Sequence, residues 1–303
     1  MPLQKPLITY YGGKQRLAPR IVPVLEGIPH TVYSEPFFGG GAIFFARTKP
    51  VVTSASHYRE VINDRSELLV NLYRVARAEP ARFSDAIQMT PYARSEHARA
   101  VSICKNPEGY SDFDKAWAYY VNIQQSFCHK LSSGWGTSVF SQSQAATWGN
   151  ATDRIPECLE RLLEVNIECD DALSVIKRWD SPQTLLYLDP PYPGTNQGHY
   201  GGYGFQDWQA LCELLDSCQS SFVLSGYAQE IEPQSTQQRI EYRSLCSASG
   251  KGKVGKSRDR SRAAKPKELG DRSRTEVIWV CDRSAAMRPE LQKVVAKQRR
   301  SSP

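Results

Sequence analysis

The stretch Leu185-Leu186-Tyr187-Leu188-Asp189-Pro190-Pro191-Tyr192 decides the fold class of this chain. Its first four residues form a continuous apolar run, which is typical of a strand buried in a parallel sheet. The two prolines end the strand, because proline lacks an N–H group and has a fixed φ angle. Asp189 and Tyr192 are then expected at the carboxyl end of a strand, where open α/β sheets bind ligands. A carboxylate beside an aromatic ring suits a flat heterocycle with an exocyclic amino group, although a rigid turn without a ligand is the alternative.

The composition is that of a soluble globular protein. The chain has 303 residues, of which 40% are hydrophobic and 23% charged, enough for one large domain with or without a smaller one. No apolar run approaches the ~20 residues of a membrane span, and no apolar signal core follows the N-terminus, so we expect a cytoplasmic protein without membrane contact. The eight cysteines form no C-x-x-C pair, which predicts reduced thiols and no zinc site.

The positive charge is concentrated in one segment. The formal net charge is +6, and residues 251–274 contain ten Lys or Arg against three Asp or Glu. Such a segment is either a solvated surface loop or a loop that contacts the phosphates of a polyanion.

Strand and helix patterns alternate along most of the chain. Apolar runs predict strands at 31–35, 59–63, 165–169, 185–189, 222–225 and 275–281, with helices at 42–47, 66–78, 155–163, 172–179 and 207–217. This alternation predicts an α/β fold with a parallel sheet. The residues between about 78 and 153 lack strand patterning, and two helices, 82–89 and 113–127, are predicted there. We therefore expect a helical insert in an α/β core, and a basic helix at 288–299.

Two polar motifs follow the first two predicted strands. Phe37-x-Gly39-x-Gly41 forms a strand-to-helix turn, where glycines permit close approach of a ligand and the helix N-terminus offers free N–H groups. Asn63-Asp64 follows the next strand, at a distance suited to a carboxylate that accepts hydrogen bonds from ribose hydroxyls. A tight turn without a ligand and a helix N-cap are the respective alternatives.

Two further motifs have equally open interpretations. Tyr10-Tyr11-Gly12-Gly13-Lys14 offers a ring and an ammonium group, which hold a ligand only if the segment folds back onto the core. Asp170-Asp171 opens a predicted helix, so one carboxylate is expected to cap it, and the other is free to contact a ligand.

In this order, the motifs resemble the Dam-like family of DNA adenine-N6 methyltransferases, which use S-adenosylmethionine. The matching segments are Tyr10 to Lys14, Pro36 to Ala42, Asn63-Asp64 and Asp189 to Tyr192, and the resemblance extends from about residue 7 to 282. It implies a Rossmann-like methyltransferase core of residues 1–77 and 154–303. It also implies a mainly helical target-recognition domain at 78–153. The basic flexible loop at 247–274 departs from the family pattern, because it is longer than expected at that position, and with DNA as the partner we expect it to contact phosphates.

The resemblance also implies a role for each matching residue. The target adenine would be presented by Asp189, Pro190, Pro191 and Tyr192. The S-adenosylmethionine pocket would be formed by Tyr10, Lys14, Phe37, Gly39, Gly41, Asp64, Asp170 and Asp189. Contacts to double-stranded DNA would come from Asn122, Gln125, Lys130, Ser133 and Trp135. No metal ion is expected, and the protein would act as a monomer or as a dimer on DNA.

The implied reaction is direct methyl transfer to N6 of an adenine flipped out of the duplex. The glycine-rich loop 194–204 is expected to close over that base. Two alternatives share the fold: methylation of cytosine N4, and a DNA-binding protein without catalytic activity.

Overall fold

The computed structural model describes residues 3–10, 12–48, 58–137, 143–194, 202–245 and 273–284. Within these residues, seven strands form one sheet: β1 (Val32–Glu35), β2 (Arg59–Asn63), β3 (Val165–Glu168), β4 (Thr184–Leu188), β5 (Ser221–Tyr227), β6 (Gln238–Leu245) and β7 (Ser273–Cys281). Their order is β3-β2-β1-β4-β5-β7-β6. The first five strands are parallel, and β7 pairs antiparallel with both β5 and β6. The predicted α/β class with a parallel sheet is confirmed.

The described helices connect these strands and extend the fold between β2 and β3. They are α1 (Ala18–Gly27), α2 (Ala42–Ala46), α3 (Glu67–Ala78), α4 (Pro80–Gln88), α5 (Arg94–Lys105), α6 (Asp112–Gln125), α7 (Gln144–Thr152), α8 (Ile155–Arg161), α9 (Ala172–Arg178) and α10 (Phe205–Ser217). Ser66 caps α3 by accepting a hydrogen bond from the Leu69 N–H. Asp171 caps α9 in the same way, which settles the role of one aspartate of the Asp170-Asp171 pair. In the described ranges no helix is both long and apolar enough to cross a bilayer.

Four elements are not predicted by the sequence pattern. Helix α1 contains Pro23 in its interior, which normally disfavours a helix. Helix α5 buries few side chains, so its apolar stripe is sparse, and α7 is short and mixed in composition. Strand β6 lies at the sheet edge and interleaves charged residues with Ile240 and Tyr242. The predicted helix at 288–299 and residues 251–272 of the basic segment lie outside the described part of the chain.

The helices between α3 and α8 share the hydrophobic core of the sheet domain. Phe83 of α4 and Tyr119 of α6 belong to the same buried cluster as Leu7, Tyr33 and Tyr73. The insert is therefore continuous with the core rather than built around a core of its own, and its packing fixes α6 against the rest of the fold.

The order of strands creates a crevice at the carboxyl end of the sheet. The chain leaves β1 towards β2 on one side, whereas β4 lies on the other side of β1. The loops after β1 and β4 diverge at this point, and such a switch point is where open α/β sheets bind ligands. The glycine turn (Phe37 to Gly41) follows β1 and Asp189 follows β4, so both motifs lie at this crevice.

Candidate functional site

Asp189 and Tyr192 form one unit at the end of β4. The Tyr192 hydroxyl donates a hydrogen bond to Asp189 Oδ1 at 3.0 Å. The Tyr192 ring contacts the Tyr227 ring at the end of β5 edge-on, with centroids 4.5 Å apart, and the Trp208 ring of α10 at 6.5 Å. Aromatic neighbours from two elements therefore fix the orientation of the Tyr192 ring, and with it one oxygen of Asp189.

Lys14 lies against this unit. Its Nζ is 2.8 Å from Asp189 Oδ1, 3.0 Å from Oδ2 and 3.9 Å from Oε2 of Glu276 on β7. It also lies 4.8 Å from the centre of the Tyr192 ring. Burial lowers the pKa of Lys14, but the carboxylates of Asp189 and Glu276 more than offset this, so the pKa is raised and the ammonium persists. The segment before β1 does fold back onto the core, and it places Lys14 on Asp189.

The turn after β1 depends on its glycines. Gly39 and Gly41 have φ angles of +50° and +65°, in the left-handed region that favours glycine. A Cβ atom on Gly40 would lie 2.7 Å from the Tyr10 Cβ and 3.1 Å from the Ile8 carbonyl oxygen. Gly40, to which the motif analysis assigned no role, thus allows the N-terminal segment to pack on the turn. Its signal in the sequence is the run of three glycines.

Asp64 braces the glycine turn from the end of β2. Its Oδ2 accepts the Gly39 N–H and its Oδ1 accepts the Ser66 N–H, both at 2.9 Å. Burial raises the pKa of Asp64, and these backbone N–H groups oppose the rise. Ser66, not Asp64, caps α3. Each carboxylate oxygen retains capacity for a further donor such as a ribose hydroxyl.

Asn63 ties three strand ends together. Its Nδ2 donates to the carbonyl oxygens of Pro36 at 2.9 Å and Asp170 at 3.0 Å, and its Oδ1 accepts the Asp170 N–H at 2.9 Å. The side chain of Asp170 turns away to pair with Arg178 at 2.7 Å, and the hydrogen bond from Arg178 lowers the pKa of Asp170. The sequence motif pointed to Asp64, whereas the structural link between β1, β2 and β3 is Asn63.

The N-terminal segment also contacts the helical insert. The hydroxyl groups of Tyr10 and Tyr119, on α6, are 3.2 Å apart, and Gln124 Nε2 donates to the Leu7 carbonyl at 3.4 Å. Tyr10 is buried between the insert and Gly40. The chain that carries Lys14 is therefore held by both the insert and the glycine turn.

Two of the residues predicted to touch DNA are buried inside the insert. Gln125 donates to the Pro91 carbonyl at 3.0 Å and accepts the Ala93 N–H at 3.2 Å. Asn122 Oδ1 accepts the Ser132 N–H at 2.9 Å. Neither side chain is exposed. Direct DNA contact by Asn122 and Gln125 is therefore not available in this structure, because the Asn122 amide is bound to the loop that follows α6 and the Gln125 amide to the connection between α4 and α5.

That loop, residues 126–137, is strained and carries an exposed ring. Cys128, His129 and Ser132 have positive φ angles, which non-glycine residues rarely adopt. Ser133 Oγ donates to the carbonyl of Phe127 at 2.9 Å, and the Phe127 side chain is 61% exposed. The strained backbone thus holds an apolar ring in solvent.

The two other predicted contacts in this loop differ in their packing. Trp135 packs on the Tyr92 ring at 5.2 Å, and the Arg94 guanidinium lies 4.8 Å from its ring centre. Lys130 is only partly buried. Trp135 is therefore held in place by packing, whereas Lys130 extends to the surface of the loop.

A buried carboxyl group near the site was missed by the sequence analysis. Glu35, the last residue of β1, accepts a hydrogen bond from the Tyr33 hydroxyl at 2.6 Å. Burial raises the pKa of Glu35 to about 8, and the nearby charge of Asp189 adds to the rise. Glu35 is therefore mainly neutral near pH 7. Its place directly before Pro36 is visible in the sequence, but its burial is not.

Comparison with known proteins gives one family. A family model described as "D12 class N6 adenine-specific DNA methyltransferase" matches residues 10–133. The match confirms the resemblance over this stretch, which contains Lys14, the glycine turn and Asp64. Among solved structures, the rRNA methyltransferase aviRa from Streptomyces viridochromogenes is similar over 90% of this chain and 89% of that chain, with 12% identity and a TM-score of 0.37. A search of curated proteins gives no match.

Proposed function

Because residues 10–133 match a family of adenine-specific DNA methyltransferases, we propose that this chain methylates N6 of adenine in double-stranded DNA, with S-adenosylmethionine as donor. The observation that carries the proposal is the meeting of two motifs at the switch point of the sheet. The glycine turn after β1 and Asp189 after β4 lie at the ends of adjacent strands. A donor and a target base held there are adjacent to each other.

The residues around the glycine turn fit S-adenosylmethionine. Gly39 and Gly41 keep the turn open to a ligand, and Asp64 has remaining acceptor capacity beside it. We assign the turn, with Phe37, to the donor and Asp64 to its ribose hydroxyls, with Tyr10, Lys14 and Asp170 as the remaining predicted contacts. The bound donor supplies an electrophilic methyl group on a sulfonium, and its own positive charge is lost on transfer.

Asp189 and Tyr192 serve the target base. A carboxylate that accepts a hydrogen bond from the exocyclic amino group localises the nitrogen lone pair and directs it at the methyl group, and the methylated nitrogen then releases one proton to solvent. Pro190 and Pro191 keep the backbone at Asp189 stiff, and Tyr192 provides a ring beside the base. The base must leave the duplex stack, at a cost of a few kcal/mol that contacts in the pocket recover.

The helical insert is the proposed DNA-recognition element. The loop after α6 presents Phe127, with Lys130 and Ser133 beside it. Asn122 and Trp135 hold this loop in shape, and Gln125 joins α6 to the connection between α4 and α5. The basic segment 251–274 is proposed to contact phosphates, which makes DNA binding weaken as salt concentration rises.

The proposal is tested by product analysis. The purified protein is incubated with duplex DNA and S-adenosylmethionine labelled in the methyl group, and the DNA is digested to nucleosides and separated by chromatography. We expect labelled N6-methyl-2′-deoxyadenosine. Labelled N4-methyl-2′-deoxycytidine alone would favour cytosine methylation, and DNA binding without any transfer would favour a DNA-binding protein without catalytic activity.

A pair of variants assigns the activity to the site. Asp189→Ala removes the proposed acceptor and is expected to abolish transfer. Glu213→Ala removes an exposed carboxylate on α10 and is expected to methylate at the parent rate. Equal rates for Asp189→Ala and the parent protein would contradict the assignment of Asp189.

A further inference from the structure

Glu276 reaches the catalytic crevice from the antiparallel part of the sheet. Strand β7 pairs with β5 so that Glu276 lies opposite Tyr227. The Tyr227 ring contacts Tyr192. A carboxylate from β7 therefore stands beside the pocket formed by the ends of β4 and β5.

Lys14 lies between this carboxylate and Asp189. Its Nζ is 2.8 Å from Asp189 Oδ1 and 3.9 Å from Glu276 Oε2. The side chains of Lys14 and Glu276 are only 9% and 18% exposed, so water screens their interaction weakly. Lys14 therefore lies near two carboxylates and forms its close ion pair with Asp189.

In this position Lys14 competes with the target base. It contacts both oxygens of Asp189, and the Tyr192 hydroxyl takes a further site on Oδ1. Its ammonium also lies over the Tyr192 ring. A base whose amino group takes the place of Lys14 on Asp189 and packs beside Tyr192 displaces the ammonium, and a largely buried ammonium is costly to move unless another negative charge receives it.

We infer that Glu276 is a positioning residue for the methyl transfer: it receives the Lys14 ammonium when the amino group of the target base takes its place on Asp189. This inference rests on the proposed function, because it requires an amino-bearing base at Asp189. Lys14 stays protonated in both positions, and no covalent bond changes. Glu276 acts only through Lys14 and does not touch the base.

The test compares Glu276→Gln with the wild-type protein in single-turnover methylation at saturating DNA and S-adenosylmethionine. Without the second carboxylate, Lys14 stays on Asp189, and we expect the rate to fall roughly tenfold or more. The dissociation constant of S-adenosylmethionine and the KM for DNA are expected to stay unchanged. The matched control is Glu241→Gln on the neighbouring strand β6, whose half-exposed carboxylate pairs with Arg239 at 3.0 Å and should leave the rate unchanged.

A double-mutant cycle separates this role from a merely structural one. In a Lys14→Met background, Glu276→Gln should change the residual rate by less than about twofold, since the group through which it acts is gone. A wild-type rate for Glu276→Gln overturns the inference. So does an equal loss with and without Lys14.

Failure of the inference and failure of the proposed function give different results. If the wild-type protein methylates no adenine, the proposed function is wrong. The double-mutant cycle is then measured by thermal unfolding of the same four proteins. Additive shifts in their unfolding temperatures overturn the link between Lys14 and Glu276.

If Glu276→Gln does not fold, Glu276→Asp replaces it. An intermediate rate then supports the inference, and the wild-type rate overturns it.

Discussion

The Lys14 ammonium and the Asp189 carboxylate, 175 positions apart in the chain, are paired at 2.8 Å. The pair exists because the N-terminal segment packs on the glycine turn at Gly40 and on helix α6 through Tyr10. Whatever displaces that segment also removes Lys14 from Asp189. The chemistry at the end of β4 therefore depends on packing between distant parts of the chain.

Gly40→Ala tests this dependence. The new Cβ would lie 2.7 Å from the Tyr10 Cβ and 3.1 Å from the Ile8 carbonyl oxygen, both of which belong to a packed segment. We expect the free energy of unfolding to fall by about 1–3 kcal/mol, as for other overpacked sites. The methylation rate is expected to fall as well, because Lys14 is displaced from Asp189. Urea unfolding and the methylation assay measure the two effects.

Gly149→Ala is the control for this substitution. Gly149 lies in α7, and a Cβ there meets no atom within 4 Å. Alanine is favoured over glycine inside a helix by roughly 0.5–1 kcal/mol, so stability should rise slightly. Unchanged stability and activity in Gly40→Ala would contradict the packing argument.

Asn63→Ala should destabilise the protein and weaken donor binding together. It removes three hydrogen bonds that join the ends of β1, β2 and β3, in a side chain that is fully buried. We expect a loss of about 2–4 kcal/mol, because the buried backbone groups of Pro36 and Asp170 lose their partner. Chemical unfolding gives the stability and calorimetric titration with S-adenosylmethionine gives the affinity.

Asn71→Ala is the matched control, since Asn71 makes one exposed hydrogen bond to the Asp112 carbonyl. Its effect should stay within about 1 kcal/mol. Equal losses in the two variants would mean that Asn63 does not join the strand ends.

Glu35 predicts a particular dependence of stability on pH. Burial raises the pKa of Glu35 from an ordinary value of 4.5 to about 8, so between these values the folded state holds a proton that the unfolded state releases. The contribution of Glu35 to stability is therefore complete below pH 4.5 and is lost as the pH rises towards 8, with a slope of at most about 1.4 kcal/mol per pH unit.

Glu35→Gln isolates this contribution, because glutamine is neutral in both states. The difference in unfolding free energy, wild type minus variant, should decrease as the pH rises from 5 to 8. Urea titrations at several pH values measure it. Parallel curves for the two proteins would show that Glu35 titrates normally in the fold.

Phe127→Ser should weaken DNA binding without loss of stability. The ring is 61% exposed on the loop after α6, so little packing is lost. Contact between an aromatic ring and a base contributes about 1–3 kcal/mol, and we expect an affinity loss of roughly tenfold. Fluorescence anisotropy with labelled duplex DNA measures it.

Met89→Ser is the control, because Met89 is 84% exposed at the end of α4. Its DNA affinity should equal that of the parent. If both variants bind DNA as the parent does, the loop after α6 is not the contact surface.

The parts of the fold that were predictable are those with a strong local signal. The run before Asp189 is apolar at every position, and the prolines end it, so β4 and the location of the pocket follow from neighbouring residues alone. The same holds for β2, whereas the cap of α3 is Ser66 and not the Asn63-Asp64 motif. Helix α1 and strand β6 were not predictable, because Pro23 contradicts a helix locally, and an edge strand keeps charged residues that hide its alternation.

The site residues divide in the same way. Asp64, Gly41 and Tyr192 stand in short motifs, and the sequence by itself determined their position beyond strand ends, together with the α/β class and the resemblance to adenine methyltransferases. The burial of Gln125 and the contacts of Lys14 with Asp189 and Glu276 were decided only by the tertiary structure. These contacts join an N-terminal turn, β4 and β7, and side chains so distant in sequence meet only through packing of the whole sheet, which no local pattern of residues encodes.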